Sequence, residues 1–248
     1  MIKRFVGTLV VMAIVFLFSA CNQKGKVRVV AEQISPREKF AVGKLVDALK
    51  IQGYEVRLTD KAVTDNGDWQ IIVGTLKAKL LSEFAQKNQS RDSLAKEGFT
   101  IQSSGKTIYV GGADQSGTLY GCLDLADRLK TDGKLPMKIN ITDQPEMVMR
   151  GTCIGLQKTA YLPGRTVYEY PYTPENFPWF YDKALWIKYL DMLVENRYNS
   201  LYLWNGHPFA SLVKLKDYPY AVEVDEATFK KNEEVFAFLT EEADKRGI

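Results

Sequence analysis

Histidine and cysteine are scarce: the 248 residues include one His and three Cys, and no Cys/His cluster has metal-ligand spacing. That excludes a zinc site of the usual kind, and no cofactor or metal is called for. Charge of one sign is missing too. Lys and Arg number 33 against 30 Asp and Glu, a net +3 spread too evenly to favour nucleic acid as a partner. No internal repeat or low-complexity tract is found, which excludes a repeat array. What is present is the composition of a globular protein, 46% apolar and 25% charged, with length for one large or two modest domains.

The N-terminus differs in kind from the rest. Lys3-Arg4 is followed by an uncharged run from Phe5 to Phe18 and then Ser19-Ala20-Cys21. A basic start, an apolar stretch short for a membrane span and small residues at its end describe a secretory signal. Phe18-Ser-Ala-Cys21 further resembles a bacterial lipobox, in which the cysteine thiol takes a diacylglyceryl group and becomes the mature N-terminus. Residues 1–20 are read as a lipoprotein signal peptide and 21–25 as a tether, with lipid on Cys21. An uncleaved apolar anchor is the alternative. Either places the mature protein outside the cytoplasm, in a bacterial periplasm or at the cell surface, held to a membrane. Of the other cysteines, Cys122 and Cys153 both have apolar neighbours and are expected as buried free thiols, since free cysteine behaves as a small hydrophobe.

Residues 26–147 read as an α/β domain. Lys26 to Ala31 alternate as a strand, and Ser35-Pro36-Arg37-Glu38 is a capping box with proline at the first helical position. The helix it opens carries Val42, Leu45, Val46 and Leu49 on one stripe and ends at Gly53. Strands follow at 55–59 and 69–73, a helix at 77–86, a hairpin of 98–102 with 107–110, and a helix from about Ser116 to Lys130. Met137 to Ile141 reads as an extended connector, and Asp143-Gln-Pro145 as a turn.

Residues 148–248 change rhythm: strand 150–156, helix about 180–196, strand 199–204, helix about 228–246, then Arg246-Gly247-Ile248 as a helix stop and the first residue of a further strand. This is the alternation of a parallel α/β fold. The fold expected is α/β: a small N-terminal α/β sandwich-like domain followed by the first two βα units of a truncated TIM (β/α)8 barrel.

Particular motifs narrow the family. Gly98-Phe-Thr-Ile, Thr107-Ile-Tyr-Val-Gly-Gly-Ala-Asp114, Gly117-Thr-Leu-Tyr-Gly121, Ile141-Thr-Asp143-Gln-Pro145 and Arg150-Gly151 together resemble the N-terminal domain and barrel start of family 20 glycoside hydrolases (β-N-acetylhexosaminidases). The related N-terminal domain of family 67 α-glucuronidases is similar. The resemblance covers residues 26 to 248 and implies that Arg150, on the first barrel strand, hydrogen-bonds sugar hydroxyls. The alternative is a structural ion pair. A guanidinium suits vicinal hydroxyls or a uronate carboxylate. The sequence also departs from that family. Gly155 stands where family 20 has an aspartate, and Tyr202-Leu-Trp-Asn-Gly-His207 replaces its His-x-His-x-x-Asp, so the family 20 substrate is not carried over.

Trp204, Asn205 and His207 fall at the C-terminal end of a barrel strand, where such folds place their sites. His207, in a loop before Pro208, is read as a sugar ligand rather than a general acid. The segment Tyr161 to Trp179 holds Tyr161, Tyr168, Tyr170, Tyr172, Phe177 and Trp179 with five glycines or prolines. Tyr161 and Trp179 are its proposed sugar contacts, because aromatic faces stack on pyranose rings; the alternative is that these rings pack on protein. Glycoside hydrolysis usually takes two carboxyl groups. The resemblance places them on a fourth strand that these residues do not include, so no catalytic residue is assigned.

The expected function is therefore the N-terminal part of an exported, lipid-anchored glycoside hydrolase acting on glycan-derived oligosaccharides, hexosaminides or uronides among them, with the fragment itself inactive. The alternative is a lipid-anchored carbohydrate-binding protein without hydrolytic activity. Carbohydrate and membrane are the partners, and nothing in the sequence sets an oligomeric state. Cys21→Ser should abolish acyl labelling and membrane partitioning; labelling that survives the substitution refutes the lipidation reading.

Overall fold

A computed structural model of the chain describes residues 24–32, 34–62, 67–87, 94–155, 171–204 and 208–248. By its internal contacts the chain divides into two compact units, one of residues 1–34 and 41–143, the other of 35–40 and 144–248.

The first unit is built on a six-stranded mixed sheet. Its strands are β1 (Lys26–Ala31), β2 (Glu55–Thr59), β3 (Trp69–Thr75), β4 (Phe99–Ser104), β5 (Thr107–Gly112) and β6 (Asn140–Asp143), in the spatial order β2-β1-β3-β5-β4-β6. β2, β1, β3 and β5 run parallel, while β4 is antiparallel to both β5 and β6. The central strands are near-continuous apolar runs, and Val29, Val30, Ile71, Val73, Ile108 and Val110 are buried, as a sheet covered on both faces requires. Met137 to Ile141, read from sequence as a connector, ends in β6. This four-residue strand of Asn140-Ile-Thr-Asp143 closes one edge by pairing with Phe99–Gln102. It is too short and polar to carry a strand signature.

Three helices belong to this part of the chain: α1 (Pro36–Ile51), α2 (Lys79–Lys87) and α3 (Gln115–Asp132). The capping box before α1 is reciprocal. Ser35 N–H donates to Glu38 Oε2 at 3.0 Å, and Glu38 N–H donates to Ser35 Oγ at 3.2 Å, satisfying two otherwise orphaned amides. Gly53, at φ 87°, ends the helix in the left-handed conformation. At the start of α3, Asp114 Oδ1 accepts from Gly117 N–H at 2.9 Å, and its Oδ2 accepts from Glu97 N–H at 3.0 Å. One carboxylate thus caps a helix and holds the preceding loop.

Glycine explains how closely α3 lies on the sheet. A Cβ on Gly117 would overlap the Gly98 carbonyl oxygen, one on Gly112 would overlap Thr118 N, and one on Gly121 would stand 2.8 Å from Val110 Cγ1. The motif of glycines noted in the sequence is therefore a packing motif: at Gly112 and Gly117 backbone meets backbone, and at Gly121 the helix backbone meets the Val110 and Phe99 side chains.

The second unit holds β7 (Gly151–Gly155) and β8 (Ser200–Trp204), paired in parallel, with α4 (Lys183–Glu195) and α5 (Glu226–Asp244). Asp182 caps α4 by accepting from Leu185 N–H, and Asp225 caps α5 by accepting from Thr228 N–H. Gly247 at φ 74° stops the last helix, with Ile248 N–H donating to Ala243 O at 3.0 Å. The core is aromatic: Tyr172, Phe177, Phe180 and Trp186 are buried with Leu190, Leu193, Val235 and Leu239.

Arg150 secures the start of β7. Its Nε donates to Arg197 O at 2.7 Å and its Nη1 to Met147 O at 2.8 Å. Arg197 is itself left-handed at φ 66° in the turn between α4 and β8. Its neighbour Asn199 accepts from Arg150 N–H through Oδ1 at 2.9 Å and donates through Nδ2 to Val148 O at 2.9 Å.

Gly117→Ala should cost about 1–3 kcal/mol by overpacking against backbone that cannot retreat, read as a lower urea midpoint. Gly43→Ala, a helical site on α1 with nothing within 4 Å of the added methyl, should instead stabilise by about 0.5–1 kcal/mol. Arg150→Ala should lower stability by about 1.5–3 kcal/mol through loss of charge-assisted bonds to carbonyls. An unchanged denaturation midpoint would exclude this structural role for Arg150.

Candidate functional site

Parallel α/β folds gather their chemistry at the carboxyl ends of the strands. β7 and β8 end together, Gly155 opposite Trp204 and Cys153 opposite Tyr202. Side chains alternate along a strand, and partners in register share a face. Thr152, Ile154, Leu201 and Leu203 therefore face one way and Cys153, Gly155, Tyr202 and Trp204 the other. Ile154, Leu201 and Leu203 pack on the aromatic core. The opposite face is open, with Tyr202 59% and Trp204 43% exposed. Gly155 has no side chain to set against the Trp204 indole, and Cys153 sets only a thiol against Tyr202.

The cysteine expectation is corrected here. Cys122, in α3, is buried as expected, but Cys153 is exposed. Its neighbours Thr152 and Ile154 turn to the covered face, and alternation leaves the thiol on the open one. Tyr202, not among the site residues expected from sequence, belongs with Trp204 because it lies two positions earlier on the same strand. Period-2 spacing was the available signal.

Arg150 is not brought to this group. It precedes Gly151, whose partner is Ser200 at the beginning of β8. Four residue steps of about 3.3 Å separate that level from Gly155 and Trp204. With its guanidinium on main-chain carbonyls, Arg150 anchors the strand start while Trp204 stands at the strand end.

The aromatic segment also divides. Trp179, expected as a sugar contact, packs edge-on to Phe177 at 6.4 Å between ring centroids and lies 5.8 Å from Trp186. Tyr172 and Phe177 are fully within the core. These three rings pack on protein, which explains why so many aromatics crowd the segment. Tyr161, Tyr168, Tyr170, Asn205, His207 and Cys21 lie outside the described residues.

A buried polar cluster fixes the loops around the strand ends. Asn232 of α5 is fully buried. Its Nδ2 donates to Tyr172 O at 2.9 Å and Ser211 O at 3.0 Å, and its Oδ1 accepts from the Tyr181 hydroxyl at 2.5 Å. Ser211 Oγ accepts from Tyr172 N–H at 3.0 Å. Burial first, with the nearby Glu175 charge second, pushes the Tyr181 phenol above its usual range, so it stays protonated and donating. One amide thus ties the segment before α4 and the segment after β8 to the same helix. Asn232 stands three residues from Phe229 and from Val235 on the buried stripe, and a polar residue in that register marks such a cluster.

The open face presents the Tyr202 and Trp204 rings. Cys153, Gly155, Tyr202 and Trp204 provide no carboxylate, so these four residues cannot supply the acid and base of glycoside hydrolysis. Among the described residues no group of three or more His, Cys, Asp or Glu is placed to hold a metal ion. No helix among them is long and apolar enough to cross a membrane.

Comparison with known proteins agrees with this architecture. A GH138 enzyme targeting pectin rhamnogalacturonan II is 55% identical over 90% of this chain, with a TM-score of 0.75. A family GH115 4-O-methyl-alpha-glucuronidase with specificity for decorated arabinogalactans is 18% identical over 85% of the chain at a TM-score of 0.52. The GH20 beta-N-acetylhexosaminidase from Streptomyces coelicolor A3(2) is 13% identical over 92% at 0.53. The last two likenesses are of fold alone. The chain spans 30%, 28% and 41% of those three proteins respectively. No curated protein matches it. The family described as "Glycosyl hydrolase family 20, domain 2" matches residues 16–144, more than half of the sequence, and the chain belongs to that family.

Proposed function

We propose that the chain is the front part of an exported, lipid-anchored glycoside hydrolase that acts on pectin-type oligosaccharides. Residues 26–147 are its N-terminal α/β domain, and 148–248 are the first two βα units of a TIM-type catalytic barrel. The observation that carries this reading is the 55% identity, over 90% of the chain, to a GH138 enzyme targeting pectin rhamnogalacturonan II. The chain spans only 30% of that enzyme, and β7 and β8 leave one face uncovered. Both features support a sheet completed by later strands, on which the catalytic carboxylates would lie.

In this reading Trp204 borders the sugar site at the strand ends, with Tyr202 beneath it. The role is binding and orientation, in which an indole face meets the C–H face of a pyranose. Proton transfer belongs to groups outside these residues. Asn205, His207 and Tyr161 remain proposed sugar contacts on the adjoining loops. The signal sequence would direct export, and a lipid on Cys21 would hold the enzyme at a membrane, in the periplasm or at the cell surface. A binding-only protein is the second reading, favoured by an open face that offers rings but no acid.

Sugar release from rhamnogalacturonan II oligosaccharides and from aryl hexosaminides separates these readings. A longer polypeptide containing this segment should cleave the former, and Trp204→Ala should lower its kcat/KM about ten- to a hundredfold. The 248-residue chain alone should release nothing. Cleavage by that chain alone, or preference of the longer protein for hexosaminides, overturns the reading.

A further inference from the structure

We propose that Tyr218 and Tyr220 form an outer sugar subsite on the loop after β8, taking a pyranose unit of an oligosaccharide away from the bond that is cut. This rests on the glycoside hydrolase reading above. The stretch from β8 to α5 runs for about twenty residues, long enough that loops of this kind are usually functional or disordered. Its described part is ordered. Short 3-10 turns form at Pro208–Ala210 and Pro219–Ala221, and Glu223 N–H donates to Ala210 O at 2.8 Å, joining the two halves. Lys214 pairs with Glu226 at 2.7 Å and lies over the Phe229 ring at 4.5 Å, which pins the loop to the start of α5. Ser211, within the same loop, is held by Asn232.

On this fixed support two tyrosines are exposed. Tyr218 is 53% and Tyr220 78% exposed, and their rings meet at 78° with centroids 5.9 Å apart. Two rings at nearly a right angle form a corner: one face stacks on the C–H side of a sugar while the other phenol reaches its hydroxyls. Rings with hydroxyl tips suit a partner that is apolar on its faces and polar at its rim, and a pyranose is such a partner. The loop follows the carboxyl end of β8, so the corner belongs to the end of the fold where substrate is expected.

Affinity electrophoresis of the 248-residue chain in gels containing rhamnogalacturonan, xylan or glycol chitin tests the subsite. At least one polymer should retard the protein. Tyr218→Ala/Tyr220→Ala should weaken that binding about tenfold, a typical loss for a tyrosine hot spot, and Tyr220→Phe should retain most of it because the ring remains. Both variants should keep the parent's circular dichroism spectrum. Retardation unchanged in the double variant, or no retardation by any polymer, overturns the proposal. Hydrolysis by the longer polypeptide is scored separately. Binding insensitive to the double variant with hydrolysis intact removes the subsite and leaves the activity. Sensitive binding without hydrolysis removes the activity and leaves a glycan-binding surface.

Discussion

Backbone contact without intervening side chains sets the geometry of the first unit. Because Gly112, Gly117 and Gly121 carry no Cβ, α3 lies against β5 and the Gly98 carbonyl at a distance no other residue permits. Helix position then decides the remainder. Asp114 can cap α3 and reach Glu97 N–H only with the helix at this depth, and Leu119, Leu123, Ala126 and Leu129 become buried. A methyl group on Gly112 or Gly117 would meet backbone and would have to be accommodated by moving a whole helix, since interiors are too dense to absorb it locally.

The second unit obeys a different constraint. Two parallel strands cover one face with α4, α5 and the aromatic core, and the alternation of β7 and β8 sends what remains to the other side. Small residues on β7 (Gly151, Cys153, Gly155) stand opposite Ser200 and two large rings on β8. Such complementarity, small against large in register, gives the open face relief rather than a flat hydrophobic surface. The buried Asn232 amide supports this face from behind by fixing the segments that flank it.

Much of this was legible because local chemistry and global fold agree. The capping box at Ser35, the glycine helix stop at Gly53 and the strand periodicity of 26–31 and 107–110 each have one physical reading, and the structure adopts it. The strand β6 was not legible, since four polar-flanked residues become a strand only by pairing with β4. Site residues were harder. Trp204 could be placed by period and topology, but Arg150 and Trp179 have side chains equally suited to sugars and to protein. Only tertiary contacts separate those uses: carbonyls of Met147 and Arg197 for one, the Trp186 ring for the other. The exposure of Cys153 is not legible in the sequence, because flanking residues reveal hydrophobicity and not which face is covered.

Lys24, where the described chain begins, does more than precede β1. Its N–H donates to Gly53 O, and its ammonium reaches Gln52 Oε1 and the carbonyl of Gly133, the two glycine-stopped helix ends of the unit. Three residue steps separate Lys24 from Cys21, a leash of about 10 Å even when fully extended. A lipid on Cys21 would therefore moor the domain by its amino-terminal edge, almost in contact with the headgroups. Rotation about the membrane normal would stay free while tumbling would not, and glycans would be met by lateral encounter along the surface instead of capture from the bulk.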